Sequence, residues 1–144
     1  MSAQVVARIL GVGFFVAGIL GFIPPVAPHA PRDAQFINLD AAYGMLFGLF
    51  PVNAAHNVLH LIVGAWGIIA SRAFRSGVGF ARALTWMYGA LVVLGVIPIT
   101  STLFGAVPVY GHDVWLDALV TLIAAYGGYG AGSRAQQPAI DARA

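Results

Sequence analysis

Val5-Val-Ala-Arg-Ile-Leu-Gly-Val-Gly-Phe-Phe-Val-Ala-Gly-Ile-Leu-Gly-Phe-Ile23 carries a single charge, Arg8, in an otherwise apolar run. A helix needs about 20 such residues to cross about 30 Å of hydrocarbon, so this stretch reads as a membrane span. Its apolar part is too long for a signal peptide, its basic flank is one arginine, and no small-x-small cleavage site follows. Three more apolar segments lie downstream. The spans are placed at about 5–23, 55–71, 83–103 and 114–131. The second and third are marginal in length, so each borrows polar residues at one end, and those residues lie at membrane depth.

The composition agrees with lipid as the solvent. Hydrophobic residues make up 60% of the chain and charged residues 8%, whereas soluble domains run near one quarter charged. A soluble chain of 144 residues also needs polar side chains to cover its large relative surface. Cysteine is absent, which removes disulfides, thiolate ligands and a cysteine nucleophile. A net charge of +2, spread over scattered arginines, is no nucleic-acid footprint. Gly127-Gly-x-Gly130 has neither a preceding strand nor a following lysine and is not a nucleotide loop.

The arginines read as topology signals. Arg8, Arg72, Arg75, Arg82, Arg134 and Arg143 fall on one set of connections and Arg32 alone on the other. By the positive-inside rule both termini are cytoplasmic, and the chain is expected in a bacterial inner membrane as a single multi-pass domain. The stretch Pro24-Pro-Val-Ala-Pro-His-Ala-Pro31 disfavours helix. Beyond it Leu39, Tyr43, Leu46, Phe47 and Phe50 recur at helical spacing, and the pattern predicts a short interfacial helix over about 39–50, ended by Pro51. The tail 132–144 is expected to be flexible.

The chain also repeats itself. Arg8-x-Leu10 and Leu20-Gly21-x-Ile23-Pro24 are matched, at the same spacing, by Arg82-x-Leu84 and Leu94-Gly95-x-Ile97-Pro98. His56-x-x-Leu59-His60 is paralleled by Asp113-x-x-Leu116-Asp117. The expected fold is therefore all-α: four transmembrane helices as two tandem hairpins in a four-helix bundle, plus the interfacial helix.

This topology brings all four histidines, with Asp33, Asp40, Asp113 and Asp117, to the outer side, leaving only Asp141 in the tail. Residues four apart share a helix face, so His56/His60 and Asp113/Asp117 form two pairs that a two-fold-like bundle would set opposite each other. Two imidazoles and two carboxylates suit a divalent transition metal such as zinc, iron(II), manganese or nickel, built as bundles build such sites from facing helices. His112 and Asn57 are the further candidates for ligand binding. Against this stands a plainer reading, in which these residues cap helix termini and form interhelical hydrogen bonds. A third reading is a proton relay through contacting histidine and carboxylate. Asn38 and Asn53 read as caps, and His29 and Asp33 as loop residues. Trp66, Trp86, Trp115 and the tyrosines read as interfacial belts or packing. Glycines such as Gly11, Gly18, Gly64 and Gly67 permit close helix approach.

At His56-Asn57-x-x-His60-Leu61-x-x-Gly64, preceded by Leu49-Phe50-Pro51-Val52-Asn53, the chain resembles the bacterial domain-of-unknown-function family DUF4383. The resemblance runs from Arg8 to about Gly130 and implies a small four-span membrane protein. It brings no enzymatic activity with it. Where such proteins tend to carry a leucine-histidine pair on the fourth helix, this chain has Leu116-Asp117. The expected function is thus a non-enzymatic membrane protein whose outer-face cluster binds a metal ion or small ligand. The alternatives are a small transporter or proton conductor, and an accessory subunit. The bilayer is the expected partner, with a homo-oligomer or a larger membrane complex beside it and no nucleic acid.

Overall fold

The computed structural model describes residues 1–31 and 34–130. Arg32, Asp33 and the tail 132–144, with Arg134, Asp141 and Arg143, lie outside the described residues. The described chain is mostly helical: α1 (Ala3–Leu20), α2 (Ala54–Ala70), α3 (Phe74–Val96) and α4 (His112–Tyr129), with two short strands, β1 (Gly44–Leu46) and β2 (Phe50–Val52), before α2. Helices α1 and α3 are long and apolar enough to cross a membrane, and α2 is a shorter apolar helix.

Local chemistry sets the helix ends. Ser2 caps α1 by accepting a hydrogen bond from Val5 N at 3.4 Å, and Asn53 caps α2 by accepting from His56 N at 2.9 Å. Helix α3 starts well before the expected position 83 and takes Arg75 and Arg82 into its first turns. A long arginine stem can lie along apolar surface while its head stays in polar surroundings, so these charges do not end the helix. Its other end is earlier than expected: Ile97, ahead of Pro98, is extended at φ −95° and ψ 116°. Proline Cδ disfavours the helical region for the residue before it, and residues 97–103 form turns instead.

The expected interfacial helix over 39–50 is not formed. In its place β1 and β2 pair antiparallel, with Gly44 opposite Val52 and Leu46 opposite Phe50. Phe47 and Gly48 turn the chain at φ 55° and 72°, a left-handed conformation that glycine adopts without steric cost. Pro51 cannot donate a helical hydrogen bond. Gly44 lets the backbone approach within a distance no side chain permits: a Cβ there would lie 2.7 Å from Pro28 O. The apparent helical period arose because Leu46 and Phe50, four apart, are cross-strand partners.

Helix α1 packs chiefly on α2, and α3 on α4. The α1–α2 seam is made of backbone. A Cβ on Gly11 would stand 2.6 Å from Ile68 N, and one on Gly67 would stand 2.7 Å from Gly11 Cα. Further along, Gly18 faces the Asn57 carbonyl. Small residues at such a crossing let dispersion contacts and close backbone approach hold helices together. A core of Val6, Leu10, Phe14, Phe80, Leu84, Tyr88 and Val120 fills the space among α1, α3 and α4. The outward faces stay apolar, with Val12, Val16 and Ile19 on α1, Ile62, Trp66 and Ile69 on α2, and Leu119 and Leu122 on α4 all exposed.

Candidate functional site

The loop segments 21–31, 34–53 and 97–111 close over one end of the helices and are tied to each other. Asn53, fully buried, donates from Nδ2 to Leu39 O and Ala106 O, both at 2.8 Å, while its Oδ1 caps α2. Ser101 Oγ donates to Gln35 Oε1 at 2.8 Å, and Asn38 N donates to Gly105 O at 2.8 Å. The Tyr43 hydroxyl donates to Gln35 O at 3.0 Å and meets the Tyr110 hydroxyl at 2.5 Å, where Tyr110 can supply the proton. Burial first, and then the bond to Tyr110, raise the Tyr43 phenol above its ordinary range. Leu103, Phe104 and Gly105 all have positive φ, at 44°, 59° and 86°. For the two L-residues this conformation costs about 1–2 kcal/mol each, and the loop-to-loop bonds around Gly105 hold it.

Beneath this cap is a cavity of about 150 Å³. Leu59, Val63, Met87, Leu91, Leu103, Val107 and Val109 form most of its wall, and His56, His60, Tyr88 and Asp117 supply the polar part. The i, i+4 spacing on α2 puts His56 and His60 side by side, Nε2 to Nε2, at 3.2 Å. One imidazole donates and the other accepts, so this pair carries one shared hydrogen bond. The carbonyls of Pro51 and Pro108 lie beside the His56 ring, yet no hydrogen bond of good geometry reaches its Nδ1. An aromatic file continues from the pair. The His60 ring lies 5.2 Å from that of Phe14, and Phe14 stacks on Tyr88 at 5.1 Å.

The residues singled out by spacing divide into three groups. His56, His60 and Asp117 line the one cavity. Asp113, one turn before Asp117 on the same helix, is 5% exposed, and its Oδ2 has no hydrogen-bond partner. His112 and Asn57 are elsewhere. His112 is exposed and accepts from Trp115 Nε1 at 3.0 Å through its Nδ1. Asn57 is fully buried against Gly21 of the α1 end, and neither Nδ2 nor Oδ1 finds a partner. The four-residue metal set does not assemble: among the described residues no group of three or more histidines and aspartates is placed to hold one ion. Asn53 caps a helix, as its position before Ala-Ala-His56 implies, while Asn38 serves the loop contact instead.

Tyr88, Gln35 and Ser101 were not legible as site or cap residues, since each lies in a segment whose sequence reads as generic apolar helix or loop. Tyr88 is four residues from Leu84 on the core face of α3, which is the one sign that it points inward.

Buried polar groups in folded proteins are nearly always bonded, and exceptions carry meaning. Of the five buried side-chain polar atoms without a partner, three belong to His56, His60 and Asp113.

A family model described as a domain of unknown function (DUF4383) matches residues 4–130. No curated protein and no solved structure matches the chain.

Proposed function

Because the chain belongs to the DUF4383 family, whose activity is not established, we propose a function from the chain's own residues: a four-span membrane protein that binds a small molecule in the cavity under its loop cap. The observation that carries this is the cavity itself, apolar on most of its wall, with His56, His60 and Asp117 converging on it. Ligand pockets characteristically combine apolar lining with a few placed polar groups. The unbonded ring nitrogens of His56 and His60, on residues that line the cavity, support the same reading, since buried polar groups are ordinarily bonded. The metal version of this function is not carried forward, because among the described residues no group of three or more histidines and aspartates is placed to hold one ion.

Several observations support four spans rather than two. Helix α2 packs along α1, and α4 along α3, so if α1 and α3 cross the bilayer their partners lie at the same depth. The seventeen residues of α2 reach about 26 Å at 1.5 Å per residue, only slightly short of the hydrocarbon. The exposed apolar faces on all four helices favour lipid around them. The contacts of Gly11 with Gly67 and of Gly18 with Asn57 support two hairpins in a bundle. The arginine distribution favours cytoplasmic termini, with the capped cavity toward the outer leaflet.

The experiment is thermal unfolding of the detergent-purified protein against a panel of ring-sized neutral, cationic and anionic probes. At least one probe is expected to raise the midpoint in a saturable way. Leu91→Phe, which fills the cavity, is expected to remove that response. If every probe leaves the midpoint unchanged, the cavity does not bind ligands and the proposal falls.

A further inference from the structure

The cavity is not closed on all sides by protein. Leu59 of α2 and Met87 of α3 both line it, and both are also exposed on the apolar outer surface, at 47% and 40%. They stand on two helices that pack only lightly on each other: α2 against α3 makes far less contact than α1 against α2 or α3 against α4. In a chain surrounded by lipid, an opening at this level faces the hydrocarbon and not the water. Above the cavity, Asn53 holds both loops down through Leu39 and Ala106, which closes the aqueous side.

We infer that the cavity is loaded sideways from the bilayer, between α2 and α3, by a lipid-soluble molecule bearing a ring-sized, hydroxyl head. The inference rests on the small-molecule reading of the same cavity. Size sets the first limit: a cavity of about 150 Å³ is known to accommodate a benzene-sized ring. Any longer part of the molecule stays outside, between Leu59 and Met87. Charge sets the second limit. An ammonium ion and a carboxylate would each have to shed their hydration to cross the hydrocarbon. A neutral hydroxyl avoids that cost. It both donates and accepts, so it can bond to the Asp117 carboxyl and to an imidazole edge, whichever nitrogen of the His56–His60 pair carries the shared proton.

The test uses 4-ethylphenol as the probe, with 4-ethylanisole, benzylamine and benzoate as comparison compounds, measured by thermal unfolding of the full chain in detergent. The phenol is expected to stabilise the protein saturably, and the anisole, which has the same shape without the donor, to bind about tenfold more weakly, the order set by one hydrogen bond to a buried group. Equal binding of phenol and anisole, or tighter binding of benzylamine or benzoate, overturns the hydroxyl assignment and leaves small-molecule binding standing. Failure of all four overturns both. Access is tested in proteoliposomes with Leu59→Trp, which plugs the gap, and Val58→Trp, which adds the same bulk at an exposed neighbouring position. Loss of the phenol response in the first and its retention in the second is the expected result. An unchanged response in Leu59→Trp overturns the lateral route.

Discussion

Replacing Asn53 by alanine removes a helix cap and two loop tethers at once. Each such bond contributes about 1 kcal/mol net, and the Leu39 and Ala106 carbonyls lose their partner, so the expected loss is about 2–3 kcal/mol, read as a lower unfolding midpoint in detergent. Asn53→Asp keeps the cap and loses the two donors, and is expected to fall between alanine and the parent. Tyr43 makes a different prediction. Its phenol is held protonated in the folded cap by burial and by Tyr110, while in the unfolded chain it ionises near pH 10. Above that pH the folded state therefore retains a proton that the unfolded state has released, and stability falls as pH rises. Below about pH 10 the contribution is complete. Tyr43→Phe is expected to flatten this alkaline limb in a series of unfolding curves taken between about pH 8 and pH 11.

Among the elements, the α1–α2 seam is the part most sensitive to a single methyl group. Gly11→Ala puts a Cβ against the backbone of Gly67 and Ile68 and is expected to destabilise by about 1–3 kcal/mol, as overpacking does. Gly13, two residues on, has open space at its Cβ position. Gly13→Ala should be neutral or stabilising by up to about 1 kcal/mol, because alanine favours helix over glycine. The pair separates packing from propensity within one helix, and circular dichroism melts of both variants check it. The same region shows how far pattern reading reaches. Long apolar runs fix the helices, because a uniform apolar stretch leaves the backbone no partner but itself. The segment around Leu39–Phe50 failed because residues four apart can be helix neighbours or partners across a tight hairpin, and only the left-handed Phe47-Gly48 turn distinguishes the two. At the site, spacing placed His56 beside His60 and Asp113 near Asp117. It could not tell that the histidines bond to each other, that His112 turns outward to Trp115, or that Asn57 packs on Gly21, since those outcomes depend on how helices meet and not on their own periodicity.

For the whole molecule, the absence of cysteine makes topology directly measurable. Single cysteines introduced at Phe36, in the capping loop, and at Arg72, between α2 and α3, are expected to react with a membrane-impermeant maleimide from opposite sides of sealed vesicles. Labelling of both from the same side would remove the four-span arrangement. Asn53 then acquires a meaning in time as well as in space. Its two carbonyl partners, Leu39 and Ala106, lie on either side of it in the chain, and the second is separated from it by all of α2 and α3. While the ribosome is still making α3, only the first of these partners has been synthesised, and the second bond of the amide has no acceptor yet. The full set of bonds from Asn53 therefore requires the second loop to have been made. A nascent chain stopped after Val96 should accordingly be an earlier target of membrane proteases than one stopped after Gly130.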